Sequence, residues 1–100
     1  MSLGKTIRSL RKEKGVGIKT MAPELNIHHT YLSKIENGYI IPSAEVVQKL
    51  ANYLNYDNDE LMVLAHRIPD DILEILRTRP HEAMSYLREQ FGKRKNDSTK

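Results

Sequence analysis

The stretch Ile27-His-His-Thr-Tyr-Leu-Ser-Lys-Ile-Glu-Asn-Gly38 carries more information about the fold than any other part of the chain. On a helix, Leu32 and Ile35 lie three residues apart and Tyr31 and Ile35 four apart, so these side chains share one apolar face. The opposite face carries hydrogen-bonding side chains, which are His29, Thr30, Ser33 and Lys34. Gly38 suits the residue that ends such a helix. A short helix with an apolar back and a polar, partly basic front has the shape that enters a DNA major groove.

The composition sets the broad class of the protein. One hundred residues are enough for one domain with a modest core. The chain has no cysteine, so disulfides and cysteine-based zinc sites are excluded, and a reducing cytoplasm is the expected location. No apolar run reaches the ~18 residues of a membrane span and no signal-peptide pattern occurs, so no membrane association is expected.

Charge is distributed unevenly along the chain. Residues 1–56 carry 8 Lys and Arg against 4 Asp and Glu, whereas residues 57–91 carry 4 against 8, giving net charges of +4 and −4. Residues 92–100 carry 4 basic residues against 1 acidic residue, giving +3. This asymmetry indicates that the N-terminal half faces a polyanion and that the acidic segment faces away from it or meets a partner. A charge split by chance is the alternative.

Helical periodicity runs through almost the whole chain and no alternating pattern of strand length appears, so an all-α fold is expected. Start signals occur at Ser2, Ile18, His28, Ser43, Asp57 with Glu60 as a capping box, Pro69 with Asp70, and Pro80. Stop signals occur at Gly15, Asn26, Gly38 and Gly92. The expected core of the first, second, fourth and fifth helices is Leu3, Ile7, Leu10, Met21, Ala22, Leu25, Val46, Val47, Leu50, Ala51, Leu54, Leu61, Leu64 and either Met62 or Val63.

Pro23 is the residue that conflicts with this pattern, because it falls inside the second predicted helix. In a regular helix interior, proline removes one backbone hydrogen bond and costs ~3 kcal/mol. Two solutions remain open: the helix is short and kinked, or its first turn is displaced.

Residues 3–65 resemble the phage-repressor and Cro-like (XRE-type) helix-turn-helix family. Leu3–Gly15 is similar to its first helix, and Tyr31–Gly38 is close to its most recognisable motif. Pro42-Ser43 and Leu50-Ala51 match the start and middle of its fourth helix. Separated matches at compatible spacing are far more specific than one short motif. The resemblance implies a five-helix bundle within residues 1–66, in which the second helix braces the third against DNA.

The resemblance also implies roles for single residues. The side chains expected to reach base edges are His29, Thr30 and Lys34. The residues expected at the DNA backbone are Gly17, Ile18, His28, Tyr31, Ser33, Asn37 and Tyr39. A partly buried salt bridge is expected between Arg11 and Glu36, where it orients the third helix.

Two departures from the family pattern weaken the expected grip on phosphate. The family often has Ser or Thr before its second helix and Gln as the first residue, but this chain has Gly17 and Ile18. Backbone N–H groups at that helix start could still hold a phosphate. After Gly38, where Lys or Arg is common, this chain has Tyr39-Ile-Ile41. Low affinity for DNA as a monomer is therefore expected.

The C-terminal extension of about two helices, residues 67–91, lies beyond the five-helix unit. Its apolar residues could simply cover the bundle, but we expect a homodimer interface formed by Ile72, Ile75, Leu76, Met84, Leu87 and Phe91. A partner protein bound by these helices is the alternative, as in an antitoxin or adaptor. Residues 92–100 form a basic tail that is expected to be disordered.

No motif of an enzyme or a cofactor site stands out. His28 and His29 could suggest a metal, but adjacent side chains diverge on a helix and no further ligands are visible, so no metal is expected. The acidic residues near helix starts are explained by the helix dipole. No nucleophile–base pair or phosphate-binding glycine loop occurs, so neither catalysis nor a cofactor is expected. The sequence thus predicts a regulator, with repression favoured, that binds double-stranded DNA at an inverted repeat as a homodimer.

Overall fold

The computed structural model describes residues 2–92, which form seven helices and no strand. The helices are α1 (Leu3–Lys14), α2 (Ile18–Glu24), α3 (His29–Glu36), α4 (Ala44–Leu54), α5 (Asn58–Leu64), α6 (Asp70–Thr78) and α7 (Pro80–Phe91). The prediction of an all-α chain with five helices and a two-helix extension is therefore confirmed. Apart from Gly92, the predicted basic tail lies outside the described residues.

Three helix starts are capped by the side chains that the sequence indicates. Ser2 Oγ accepts from the Lys5 N–H at 3.2 Å, and Ser43 Oγ accepts from the Val46 N–H at 3.3 Å. At α5, an Asp57 carboxylate oxygen accepts from the Glu60 N–H at 2.9 Å. The capping box expected there is only half formed, because among the described residues no bond runs from the Glu60 side chain back to Asp57.

The first five helices all end in the same way, with one residue in the left-handed conformation. These residues are Gly15, Asn26, Gly38, Asn55 and His66, at φ between 55° and 80°. After α3, the Gly38 N–H donates to Ile35 O at 3.1 Å and the Tyr39 N–H donates to Lys34 O at 2.9 Å. This pair of bonds is a Schellman motif, which satisfies carbonyls that have no partner within the helix.

Pro23 is accommodated because α2 is short. The helix starts at Ile18, so its first turn is not displaced, and Pro23 is its sixth of seven residues. The missing N–H therefore affects only the last turn. The following amides close that end, since the Leu25 and Ile27 N–H groups both donate to Ala22 O. The Lys49 ammonium also donates to Leu25 O, at 3.4 Å.

The described chain divides into two compact units on either side of Ile68 and Pro69. In the first unit, α1 to α5 enclose one core. Its largest fully buried side chains are Ile7, Met21, Leu32, Ile35, Pro42, Val47, Leu50 and Leu61. Of the two candidates in α5, Met62 is buried and Val63 is 63% exposed. Outside the core, the Lys14 ammonium lies 4.9 Å from the centre of the Tyr53 ring, a cation–π distance that links α1 to α4.

Close contact between α1 and α3 depends on Gly4. A Cβ atom placed on Gly4 would overlap the backbone oxygen of Glu36 and would lie 2.8 Å from that of Ile35. These are backbone atoms at the end of α3, so they cannot move aside as a flexible side chain would. Only glycine at this position lets the two helices approach as closely as they do.

The second unit is a helical hairpin made of α6 and α7. None of its described side chains is buried, and its large apolar residues are partly or mostly exposed. A groove of about 320 Å³ runs between the two helices and is lined by Ile72, Ile75, Leu76, Arg79, Glu82, Ala83, Tyr86 and Leu87. The hairpin thus presents an apolar face that nothing within the unit covers.

The role of Gly4 gives the first prediction. Alanine is a better helix former than glycine by ~1 kcal/mol, so Gly4→Ala would stabilise α1 if space were available. Because the added methyl group meets backbone, we expect instead a net loss of ~1–3 kcal/mol in the free energy of unfolding, measured by urea denaturation. Ser9→Ala, at an exposed position of the same helix, is the control and should change stability little. A Gly4→Ala protein as stable as the original would contradict the close contact.

Candidate nucleic-acid interface

The third helix separates its residues between core and surface as its spacing predicts. Leu32 and Ile35 are buried, with at most 1% of their surface exposed, and Tyr31 and Ser33 are half-buried. The exposed side chains are those of His29, Thr30, Lys34 and Asn37. The predicted base-reading residues therefore share the solvent-facing surface of one short helix.

The start of α3 is capped by a histidine rather than by a hydroxyl or carboxylate side chain. His28 Nδ1 accepts from the Thr30 N–H at 3.1 Å. The rings of His28 and His29 are stacked, with centroids 4.4 Å apart and planes inclined at 28°. The described residues contain no group of three or more His, Cys, Asp or Glu side chains that could hold a metal ion.

The end of α3 is fixed to α1 by a buried carboxylate. The Glu36 side chain has no exposed surface, and its two oxygens accept from Arg11 Nε at 2.7 Å and Arg11 Nη2 at 3.0 Å. Arg11 Nη1 also donates to Val16 O at 3.0 Å, in the connection between α1 and α2. The hydrogen bond with Glu36 raises the pKa of Arg11 above its usual value although burial opposes this, so the guanidinium stays charged.

A second arginine, which sequence reasoning missed, contacts the same carboxylate. Arg8 Nε donates to a Glu36 oxygen at 3.2 Å, and Arg8 Nη2 donates to Asn37 Oδ1 at 2.8 Å. The Asn37 amide in turn donates to Ser33 Oγ at 3.4 Å. Arg8 precedes Arg11 by three residues and so shares its helix face, and this spacing was the signal available. The two polar residues expected at the DNA backbone, Ser33 and Asn37, thus belong to a network anchored in α1.

The remaining residues that were predicted to contact the DNA backbone lie before and after α3 in the sequence. Gly17 caps α2 and is exposed, whereas Ile18 is half-buried. The first amides of any helix lack acceptors within it, so those at the start of α2 can donate outward. Tyr39, in the connection after α3, is 78% exposed. That connection continues to Pro42, whose carbonyl accepts from Arg67 Nε at 2.9 Å.

The predicted dimer-interface residues lie in the hairpin unit. Ile72, Ile75, Leu76 and Leu87 line the groove between α6 and α7, whereas Met84 and Phe91 are exposed beside it in the sequence. Phe91 is the most exposed of them, at 77%. No described helix is long and apolar enough to span a membrane.

The architecture and the polar face of α3 define a class of protein, and comparison with known sequences identifies the same class. The chain belongs to the XRE-type family of helix-turn-helix transcription regulators, since the family described as a helix-turn-helix domain matches residues 4–66. The resemblance seen in the sequence is therefore confirmed.

Several relatives share this region. The "ImmF control region 10 kDa protein" of Bacillus phage phi105 is 35% identical over 69 residues, which cover 69% of this chain and 77% of the relative. The "Uncharacterized HTH-type transcriptional regulator YazB" of Bacillus subtilis is 41% identical over 58 residues, covering 58% and 84%. The regulator SlrR of the same organism is 38% identical over 60 residues, covering 59% of this chain but 40% of SlrR. No solved structure gives a significant match.

The buried carboxylate gives the second prediction. Arg11→Met removes two donors from a charge without exposed surface, so we expect a loss of ~3–5 kcal/mol in the free energy of unfolding, measured by urea denaturation. Arg11→Met combined with Glu36→Leu removes both charges and should lie closer to the original protein. Lys12→Met, at the exposed neighbouring position, is the control for the change of side chain. Equal losses in the single and double variants would show that the ion pair is not what stabilises this contact.

Proposed function

We propose that this protein is a sequence-specific DNA-binding transcription regulator that acts as a repressor. It binds an inverted-repeat operator in the cytoplasm as a homodimer, without catalysis and without a cofactor. The observation that carries the proposal is the third helix, whose exposed polar face is held in place by the buried Glu36. The family supports DNA binding, and the relatives are named as regulators or as a phage control protein.

Base recognition is assigned to the exposed side chains of α3. Lys34 can donate to guanine O6 or N7, and Thr30 can form a hydrogen bond or contact a thymine methyl group. His29 can donate or accept, depending on which ring nitrogen carries the proton. Their exposure on one face of one helix supports simultaneous contact with neighbouring base pairs.

Contacts to the DNA backbone are assigned to residues around that face. They are Gly17, Ile18, His28, Tyr31, Ser33, Asn37 and Tyr39. Gly17 and Ile18 would contribute backbone amides at the start of α2, where the helix dipole favours an anion. Asn37 is held by Arg8, so its amide has a defined orientation. Such contacts would set the position of α3 on the duplex, whereas the base contacts would set the sequence.

Dimerisation is assigned to the hairpin of α6 and α7. The two helices have 9 and 12 residues, and isolated helices shorter than ~12–15 residues are marginal in water. With no buried side chain of its own, the hairpin gains stability when its apolar face is covered. A second copy would cover it symmetrically and would bring two recognition helices to half-sites ~34–36 Å apart. A different protein on this face is the competing assignment.

The third prediction tests the reading of bases by α3. Sites selected from a random DNA pool should share an inverted repeat, and Lys34→Ala should lose ~1–3 kcal/mol of binding free energy with relaxed preference at one position. Gel shifts at low and raised salt measure both effects. Lys12→Ala, which removes the same charge from an exposed position of α1, reports the general electrostatic loss. An equal loss on all sequences would identify Lys34 as a phosphate contact, and failure to enrich any site would refute sequence-specific binding.

The fourth prediction tests the dimer. Leu87→Glu places a charge in the groove of the hairpin, so we expect sedimentation to show a monomer at concentrations where the original protein is a dimer. Affinity for the full inverted repeat should fall, whereas affinity for a single half-site should stay the same. Ser85→Glu adds the same charge to the same helix outside the groove lining and should leave the dimer intact. A monomeric original protein that co-purifies with another protein, lost on truncation after Leu64, would favour the competing assignment.

A further inference from the structure

We propose that His28 is a positioning residue for the recognition surface. Its imidazole caps α3 through Nδ1 and holds the ring of His29 by stacking. The consequence for DNA binding rests on the proposed function, whereas the capping and the stacking do not.

The cap itself determines which tautomer His28 must have. The Thr30 amide can only donate, so the Nδ1 atom that lies 3.1 Å from it must be without a proton. The proton of the neutral ring is then on Nε2, which leaves Nε2–H free as a donor. Thr30 is the second residue of α3, which is where an N-cap side chain normally accepts. A serine or aspartate in this place would act as a cap across the neutral pH range, but histidine acts as one only while Nδ1 is unprotonated.

The stacked arrangement extends the effect of His28 to a side chain expected to read bases. The two rings are 4.4 Å apart between centroids and inclined at 28°, so the ring of His28 limits the orientations open to the exposed ring of His29. His29 is the first residue of α3. One imidazole therefore fixes the backbone of Thr30 and the ring of His29, and both lie on the face assigned to base contacts.

The first experiment uses the full chain without DNA. Long-range ¹H–¹⁵N correlation spectra at pH 7.5 should show His28 with a bare Nδ1 and a protonated Nε2. A His28 ring with its proton on Nδ1 would overturn the proposal.

Three substitutions separate the cap from the stack. Asparagine is a good N-cap, so His28→Asn should keep the melting temperature at pH 7.5. His28→Phe keeps a ring that can stack and loses the acceptor, and His28→Ala loses both, so each should lower the melting temperature by about 4 °C. His81→Gln removes an exposed histidine elsewhere and should change the melting temperature little. A His28→Ala protein as stable as the original would refute the cap.

Binding to a selected operator then tests the consequence for recognition. At pH 7.5 all three variants lose the DNA backbone contact assigned to His28, so each should bind all sequences more weakly. His28→Asn and His28→Ala should in addition relax the preference at the base contacted by His29, whereas His28→Phe, which keeps the stack, should retain it. An unchanged base preference in His28→Asn and His28→Ala would refute the coupling. Absence of any DNA binding would count against the proposed function, and the spectra and melting temperatures would still decide the role of His28.

Discussion

The structure of the first unit depends on one carboxylate that has no contact with solvent. Burying a charged side chain is unfavourable unless its oxygens are fully paired, and Glu36 meets this requirement with three N–H donors from two arginines. The net stabilisation from such a group is small, but its geometry is strict. Because Arg11 also donates to Val16 O, one guanidinium joins α1, the connection to α2 and the end of α3. The end of α3 is thereby held in one orientation relative to α1, because hydrogen bonds are more directional than apolar contacts.

The backbone turns at the helix ends also restrict the orientation of α3. Each of the first four helices is followed by a left-handed residue, and the connection to the next helix has three residues after α1 and α4, four after α2 and seven after α3. Glycine serves at two of these positions, and asparagine, which tolerates this conformation better than most residues, serves at the others. The four-residue connection before α3 and the Schellman motif after it leave the third helix little freedom to rotate about its own axis. Orientation of the polar face is thus determined at both ends, by the turn after Asn26 and by the turn at Gly38.

The sequence was sufficient to predict a structural feature wherever the interaction that determines this feature is local. The caps at Ser2 and Ser43, the left-handed Asn26 and the buried face of α3 all follow from residue type and spacing within a few positions. Contacts between distant segments left no such local signal. Gly4 looks like an ordinary residue of a first helix turn, and only the folded chain shows that the backbone of Glu36 lies against it.

Other features that the sequence did not predict also depend on contacts between distant segments. Arg8 carries no local sign of its second bond to Asn37, which lies 29 residues away in the chain. The choice between Met62 and Val63 could not be made from apolar character, because both are apolar and only packing against the core decides which is buried. Among the described residues of the proposed interface, the pattern of exposure followed from periodicity, whereas the network that fixes it did not. Prediction from sequence therefore gave the surface of α3 and, through the family resemblance, the pair of Arg11 and Glu36 that orients it, but not Arg8, which completes the network.

The charges of the two units bear on why the proposed regulator would need a second copy. Residues 69–91 carry 3 basic against 5 acidic residues, a net charge of −2, so the hairpin would add nothing to the electrostatic attraction between the protein and DNA. On α3 itself, Lys34 is the single lysine or arginine, and the connection that follows it has Tyr39 and Ile41 where a cation would add affinity. Phosphate contacts formed mainly by backbone amides and neutral side chains release few counterions. Joining two such units raises the effective concentration of the second at its half-site, which multiplies affinity without any new contact to DNA. In the proposed dimer, association of the apolar hairpin with a copy of itself would supply this link, and the weakness of each single unit would then make binding depend on two correctly spaced half-sites.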